Sequence, residues 1–302
     1  MTPRIFGVDY QFLSCGDVFT QGLLHAAEAL GVDYAHADWS APDLLEQVHA
    51  FRPDLLFVVH GRKFARWHST FKAPQSAVWL LDEPYEVDDT AQTSRLFSYV
   101  FVNDPATLAR HPHASYLPVC YDPRVHYPGT DPRTRDVGFI GGGNATRERY
   151  LAALANAGRL SYVVGGAWAD AAVNGLCLAR NLNPGAATAL YRQTRIVLNV
   201  FRETHHYNRE HLPATSLNPR IYEALACGAL VVSEWRPEIE TLVPELPTFR
   251  SVGECLAHVD YFLAHPATAA DVQAQCAARL AGHTYAARLQ TVLTTVGSAV
   301  AA

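Results

Sequence analysis

The sequence alternates short apolar runs with helix-length segments, and it does so in two successive series. In the first series we predict helices at residues 17–30 and 42–51 and strands at 4–8, 32–37, 54–59, 77–81 and 99–102. Adjacent parallel strands need a helix-length connection, so the alternation predicts parallel sheets covered by helices on both faces. The predicted fold class is therefore α/β, with two Rossmann-like domains.

A polar stretch separates the two series. Residues 121–136 read YDPRVHYPGTDPRTRD, which cannot continue a helix or a central strand. The second series has predicted strands at 137–140, 160–164, 196–200 and 229–233 and helices at 145–157, 219–226, 252–264, 267–280 and 285–296. We therefore predict an N-terminal domain over residues 1–122, a linker over 123–135 and a C-terminal domain over 136–302, whose last helix packs back on the N-terminal domain.

Charge and cysteine content exclude several classes of protein. The 302 residues carry a net charge of −5, so nucleic acid is a disfavoured partner and any anion must be bound locally. No apolar stretch approaches the roughly 20 residues of a membrane-spanning helix, and the first residues lack the pattern of a secretion signal. The six cysteines form no C-x-x-C pair, which argues against a zinc knuckle or a disulfide framework. We expect a soluble, cytoplasmic protein.

A triple glycine marks the first candidate binding site. Gly141, Gly142 and Gly143 lie between a predicted strand and a predicted helix, where backbone N–H groups and the helix dipole attract phosphate. Arg147, in the first turn of that helix, favours an anion further. The run lacks the third glycine of G-x-G-x-x-G and has no G-K-S/T, so it indicates neither a dinucleotide site nor a Walker site. The alternative is that the glycines serve only a tight turn.

The segment around residues 218–226 is the second candidate site. Asn218 is a favourable N-cap and Pro219 a favourable first helical residue, so a helix start with free N–H groups is predicted there. Arg220 and Glu223, three residues apart, share one helical face, where arginine suits a diphosphate and the carboxylate suits ribose hydroxyls. The alternative is an intrahelical ion pair on a solvated face.

Residues 218–233, NPRIYEALACGALVVS, resemble the donor-binding helix of GT-B glycosyltransferases, specifically those similar to the spore-maturation CgeB-like group. Other motifs agree with that family in the same order along the chain. They are Asp82-Glu-Pro, YLPVCYDPRVHYP at 116–128, FIGGG at 139–143 with Arg147, the stretch from Tyr191 to Asn199, and HTYAAR at 283–288. Together they resemble the family over nearly the whole chain, which implies two Rossmann-like domains facing each other across a cleft.

The resemblance also implies roles for individual residues. Glu223 would hold the nucleotide ribose, the backbone around Ser216 and Asn218 would face the donor sugar or its phosphate, and Arg147 and Arg220 would neutralise the diphosphate. The implied donor is a nucleoside-diphosphate sugar, with a uridine diphosphate sugar as the first choice, and no metal ion or other cofactor is required.

One position departs from the family. Related enzymes with an E-x7-E motif carry a carboxylate eight residues before the helix glutamate, where this chain has Thr215. The departure weakens a retaining mechanism. It also favours a catalytically inactive nucleotide-binding module.

An inverting transfer needs a general base in the N-terminal domain. Asp82 is preferred because it follows a predicted buried strand, and His60 is the second candidate; the further carboxylates are Glu83, Asp9 and Asp17. The alternative for Asp82 is a hydrogen bond to its own turn. The cluster of His205, His206 and His211 has no common metal-ligand spacing and is interpreted as a loop feature.

The leading functional hypothesis is a hexosyl-type glycosyltransferase that moves a sugar from a nucleoside-diphosphate sugar to a hydroxyl acceptor in the interdomain cleft. The alternatives are a sugar-nucleotide epimerase of the same architecture and the inactive nucleotide-binding module. The sequence leaves the acceptor, the donor sugar and the oligomeric state open.

Overall fold

The structure is a computed structural model that describes residues 3–10, 15–62, 75–130, 132–203 and 207–300. The chain divides into two compact units. The first consists of Met1–Val119, Thr204–Ser216 and Thr284–Ala302, and the second of Cys120–Glu203 and Leu217–His283. The division differs from the predicted domains because residues 204–216 join the first unit and because the predicted linker lies within the second. The last helix, which we predicted to pack back on the N-terminal domain, belongs to the first unit.

The first unit is built on a six-stranded parallel sheet of order β2-β1-β3-β4-β5-β6. Its elements, in chain order, are β1 (Arg4–Asp9), α1 (Cys15–Leu30), β2 (Asp33–Asp38), α2 (Leu44–Phe51), β3 (Leu55–Val59), β4 (Gln75–Leu80), α3 (Val87–Thr93), β5 (Tyr99–Val102) and β6 (Ala114–Tyr116), with short 3-10 helices at Ser94–Leu96 and Pro105–Arg110.

The second unit has a six-stranded parallel sheet of order β12-β11-β10-β7-β8-β9. Its elements are β7 (Arg135–Ile140), α4 (Ala145–Asn156), β8 (Leu160–Val164), α5 (Ala171–Gly175), β9 (Cys177–Ala179), α6 (Pro184–Gln193), β10 (Thr194–Asn199), α7 (Pro219–Ala226), β11 (Leu230–Glu234), α8 (Pro237–Leu242), β12 (Thr248–Phe249), α9 (Val252–Ala264) and α10 (Pro266–Leu280). The last helix, α11 (Tyr285–Val300), belongs to the first unit.

The central strands have helices on both faces, which explains their continuous apolar runs. All five residues of β3 are buried, as is usual for parallel sheets and unlike the alternation of a half-exposed strand. The prediction of two parallel-sheet α/β units is confirmed.

Helix α11 packs closely on α1 in the first unit. A Cβ added at Gly22 of α1 would lie 2.3 Å from the ring of Tyr285, so only glycine allows this approach. Arg288 of α11 donates hydrogen bonds to the carbonyl oxygens of Pro118 and Val119, at 2.7 and 3.1 Å. These contacts fix the last helix in the first unit.

Several short elements were not predicted, namely α3, α5, α6, α8, β6, β9 and β12. These have 10 residues or fewer and lack a full apolar period, although α6 begins with Asn183 as a side-chain cap and Pro184 at its first position. None of the helices in the described residues is both long and apolar enough to cross a membrane.

Candidate active site

Three neighbouring strands of the first sheet end in polar residues. Tyr10 follows β1, His60 follows β3, and Asp82 follows β4 by two residues. Because the carboxyl ends of parallel strands lie at one edge of a sheet, these side chains come together there. The rings of Tyr10 and His60 are 4.6 Å apart, and His60 adopts a left-handed backbone with φ of 66°. Such a conformation costs a non-glycine residue about 1 kcal/mol and is often found at functional sites.

Glu86 and Arg62 complete the group around His60. The Nε2 atom of His60 lies 3.2 Å from Glu86 Oε2, and the guanidinium of Arg62 donates to Glu86 Oε1 at 2.9 Å. Arg62 also donates to Asp89 at 2.9 Å and stacks on the ring of Tyr207 at 3.9 Å. The structure thus brings the two predicted base candidates, His60 and Asp82, into one cluster.

The same cluster has the donor atoms of a metal site. One ligand atom from each of His60, Asp82 and Glu86 lies within 4.8 Å of the other two. The guanidinium of Arg62 supplies a positive charge to Glu86 in the same cluster. The three side chains are also groups that can exchange protons.

Burial and nearby charges both act on the Tyr10 hydroxyl in this cluster. The pKa of the Tyr10 hydroxyl is raised, first by burial and then by the charge of Glu86, with smaller contributions from Asp82 and Asp38. Arg62 acts in the opposite direction. Among the described residues, three carboxylates and one arginine thus act on the Tyr10 hydroxyl.

Two other predicted base candidates, Glu83 and Asp9, are already bonded to other side chains and are therefore poorly placed to act as the base. Glu83 is 1% exposed, accepts a hydrogen bond from Thr90 and lies 3.3 Å from Nε2 of His111, so it holds the turn after β4. Asp9 is bonded to Nδ1 of His36 at 2.5 Å, and this bond raises the pKa of His36. The third carboxylate, Asp17, lies in the first turn of α1.

In the second unit, the triple glycine lies where predicted, between β7 and α4, but its amides point inward. Gly141 donates to the carbonyl of Val164 at 2.9 Å, and Gly143 donates to that of Gly166 at 2.8 Å. A Cβ on Gly165 would lie 1.9 Å from the Gly141 oxygen. These glycines therefore let two loops touch, and two of the three amides predicted to face phosphate are already used.

Arg147 holds this loop in place. Its guanidinium donates to the carbonyl oxygens of Val200 at 3.0 Å and Gly142 at 2.8 Å, while Asn144 caps α4 through the Arg147 amide at 3.0 Å. Arg147 thus has a structural role, and its role at the diphosphate stays a prediction. The contacts fix the position of the positive charge beside the start of α4.

Arg220 lies at the carboxyl ends of β7 and β10. It donates to the carbonyl of Ile140 at 2.7 Å and to Oδ1 of Asn199 at 2.5 Å, and it lies 4.7 Å from the centre of the Phe139 ring. Asn218 donates to the same Asn199 oxygen at 2.8 Å. A Cβ on Gly141 would be 2.6 Å from Arg220 Nη2. Arg220, Asn218 and Gly141, all predicted as donor-binding, therefore meet at one place.

Glu223 is half-buried on the next turn of α7. Within the described residues its carboxylate has no hydrogen-bond or ion-pair partner, so the alternative of an intrahelical ion pair with Arg220 is wrong. Burial raises the pKa of Tyr191 well above its usual value, and the negative charge of Glu223 raises it further. A half-buried carboxylate without an internal partner is suited to accept hydrogen bonds from a ligand.

The backbone amides before α7 bind internal carboxylates. Those of Thr215 and Ser216 donate to Asp104 Oδ2 at 2.7 and 3.0 Å, within the first unit. That of Leu217 donates to Glu238 Oε2 at 2.6 Å, within the second. The Ser216 N–H therefore already has an anionic acceptor, and the prediction that the backbone of residues 216–218 faces the donor sugar or its phosphate stays a prediction.

Residues 207–216 are attached to the first unit by further contacts. Asn103 donates to the Ser216 hydroxyl at 3.3 Å, and Arg110 forms an ion pair with Glu210. His211, one of the three clustered histidines, lies in this segment with φ of 52°. The other two, His205 and His206, lie outside the described residues.

Tyr10, Glu86, Asp104 and Glu238 were not predicted from the sequence. Tyr10 could have been found, because it directly follows a predicted strand. The other three act through contacts between residues distant in sequence or through a turn, for which the sequence carries no periodic signal.

Part of the chain matches a known family. Residues 147–294 match a family model described as glycosyl transferase-like. Comparison with the curated proteins finds no significant match.

Three similar solved structures cover nearly the whole chain. OtsA in its apo form has a TM-score of 0.65 at 9% identity, covering 97% of this chain and 99% of that one. AviGT4, a glycosyltransferase involved in avilamycin A biosynthesis, has a TM-score of 0.61 at 14% identity, covering 99% of this chain and 98% of that one. A DNA-modifying β-glucosyltransferase, solved with and without its substrate uridine diphosphoglucose, has a TM-score of 0.62 at 11% identity, covering 97% of this chain and 99% of that one. The chain therefore has the two parallel-sheet α/β units of GT-B glycosyltransferase structures and carries a glycosyltransferase-like domain over residues 147–294.

Proposed function

We propose that the protein is a glycosyltransferase that binds a nucleoside-diphosphate sugar, with uridine diphosphate as the first choice of nucleotide, in its second unit. It transfers the sugar to a hydroxyl acceptor bound by its first unit. The observation that carries the proposal is the position of Arg220, which Asn199 and the Ile140 carbonyl fix at the carboxyl edge of the second sheet within the matched region.

The second unit supplies the groups that a diphosphate leaving group needs. Arg220 is a planar donor whose orientation is already set, so little reorganisation accompanies the binding of an anion. Arg147 adds a second fixed positive charge beside the start of α4. Glu223 accepts hydrogen bonds from the ribose hydroxyls.

The first unit supplies the base. The acceptor oxygen forms a bond to the anomeric carbon, the bond from that carbon to the diphosphate oxygen breaks, and the electron pair leaves with the nucleoside diphosphate. Asp82 takes the hydroxyl proton, and His60, held by Glu86, lies beside it within the same cluster. This is an inverting transfer, which needs no carboxylate at position 215.

Arginines take the place of a metal ion in this mechanism. Their fixed charges offset the charge that develops on the diphosphate, so we expect activity to persist in chelator. This expectation covers the cluster at His60 as well, where Arg62 supplies the local positive charge.

The proposal is tested by calorimetry and a transfer assay. Wild-type protein should bind UDP and a UDP-sugar with equal affinity in the presence and absence of EDTA. Glu223→Ala should weaken nucleotide binding, whereas Asp271→Ala, on the exposed face of α10 in the same unit, should not. Asp82→Asn should bind the donor normally and lose transfer.

Three outcomes would contradict the proposal. Absence of nucleotide binding would refute the donor site, and equal effects of the Glu223 and Asp271 changes would refute the role of α7. Conversion of the free UDP-sugar to an isomer without any acceptor would indicate the epimerase instead.

A further inference from the structure

The net charge of the chain resides in the first unit. That unit has 15 Asp and Glu against 10 Lys and Arg, whereas the second has 14 of each. The first unit thus accounts for the whole net charge of −5, and the second is neutral. An anionic donor and an anionic acceptor would meet quite different fields in the two units.

Aromatic rings line the same edge of the first sheet as the carboxylates. Trp39 follows β2, and its ring lies 6.4 Å from that of Tyr10, which in turn lies 4.6 Å from His60. The three rings form a row across the ends of β2, β1 and β3. Trp39 and Tyr10 are both half-buried, so part of each ring reaches solvent.

Carboxylates surround this aromatic row. Asp38 follows Ala37 at the end of β2, and Asp82 and Glu86 lie in the cluster with His60. Burial raises the pKa of the Tyr10 hydroxyl first, and the charges of Glu86, Asp82 and Asp38 raise it further. Arg62 is the only arginine in the described residues that contributes to the pKa of Tyr10, and its guanidinium is shared between Glu86 and Asp89.

We propose that the carboxyl edge of the first sheet, at Trp39, Tyr10, Asp82 and Glu86, binds a carbohydrate acceptor that carries no phosphate or carboxylate. This inference rests on the proposed function and names its acceptor class. The C–H faces of a sugar pack on aromatic rings, and its hydroxyl groups donate to carboxylates. An amino sugar gains attraction to both the carboxylates and the rings.

The carboxylates in the described part of this edge disfavour polyanions. A nucleic acid would bring phosphates against Asp38, Asp82 and Glu86, whereas proteins that bind nucleic acid offer basic patches. Like charges brought together in this way select against the wrong partner. The acceptor class is therefore unlike that of the DNA-modifying enzyme whose fold the chain shares.

The experiment is a binding measurement on the full-length protein that does not need the donor. Labelled wild-type protein is applied to an array of neutral, amino, phosphorylated and carboxylated glycans, and the best glycan is titrated by calorimetry beside a duplex DNA. We expect binding to neutral or amino glycans, with phosphorylated glycans and DNA at least about tenfold weaker at physiological salt.

The tested variant is Trp39→Leu, which keeps an apolar side chain against the core of the first unit but removes the ring. It should weaken glycan binding about tenfold while UDP affinity is unchanged. Trp39→Phe should retain most of the binding, and the matched change Trp235→Leu in the second unit should leave glycan affinity unaltered.

Stronger binding of DNA or phosphorylated glycans than of neutral ones would overturn the inference. So would the absence of any glycan signal from protein that still binds UDP, or equal glycan binding by wild type and Trp39→Leu. Loss of UDP binding with intact glycan binding would refute the proposed donor site alone, so the two failures are distinguishable.

Discussion

Replacing Asp104 should weaken the first unit more than its position in a short turn suggests. Its fully buried carboxylate accepts hydrogen bonds from the amides of Ala106, Thr215 and Ser216, at 3.0, 2.7 and 3.0 Å, and from the Thr215 hydroxyl at 2.5 Å. Asp104→Ala leaves four donors without an acceptor. At about 1 kcal/mol for each bond, the unfolding free energy should fall by about 3–5 kcal/mol.

The assay has a global and a local readout. Urea denaturation measures the loss of stability, and hydrogen exchange reports the amides of Thr215 and Ser216, which should exchange much faster in the variant. Asp104→Asn keeps one oxygen acceptor, so its unfolding free energy should fall by about half as much as that of Asp104→Ala. Asp260→Ala, which removes an exposed ion pair with Arg159, should cost about 0.5 kcal/mol or less. A loss below about 1 kcal/mol for Asp104→Ala, or unchanged exchange at both amides, would refute the reasoning.

Three further predictions follow from single contacts. Arg220→Lys should weaken UDP binding by about 10–100-fold, because lysine cannot keep the bonds to Ile140 and Asn199 and still face the ligand. Calorimetry measures the affinity for UDP, and an unchanged affinity would show that Arg220 is not part of the donor site. The pKa of His36 is raised in the folded state by its bond to Asp9. The stability that this bond contributes is therefore complete below about pH 6.5 and is lost as the pH rises through the folded-state pKa. Urea denaturation midpoints of the wild type should fall as the pH increases, and the fall should be smaller in His36→Gln. Gly22→Val should lower the unfolding free energy by about 2–3 kcal/mol, because the valine side chain would clash with the Tyr285 ring of α11. Gly253→Ala should raise the unfolding free energy by about 0.5–1 kcal/mol, because no atom lies within 4 Å of the added Cβ. Equal effects of the two changes in thermal denaturation would contradict the packing argument.

The strands could be predicted because burial on both faces leaves a strong signal. The run from Tyr99 to Val102 and the helix from Pro219 to Ala226 have the predicted bounds, since each combines an apolar pattern with clear end residues. The assignment of residues 204–216 to the first unit could not be predicted. It depends on hydrogen bonds from Thr215 to Asp104, which lies more than 100 residues earlier in the chain. No sequence pattern links two residues at that separation.

In the candidate site, too, some features could be predicted from the sequence and others could not. Arg220 and Glu223 were identified because a helix fixes the spacing between them, but the partner of Arg220 is Asn199 on a neighbouring strand rather than Glu223. The glycines were identified because they lie between a predicted strand and a predicted helix, where backbone N–H groups attract phosphate. That their amides bind Val164 and Gly166 depends on how two loops meet, which a sequence pattern does not encode.

Thr215 is better explained by its surroundings than by loss of function. Its amide and hydroxyl both donate to the carboxylate of Asp104, which is itself fully buried. A glutamate or aspartate at position 215 would place a second carboxylate against the first with too few donors for both, and one of them would have to be protonated or expelled. Threonine supplies a donor where an acidic residue would supply a repelling charge. The departure at this position is therefore explained by Asp104, and it gives no reason to regard a site that retains Arg220 and Glu223 as inactive.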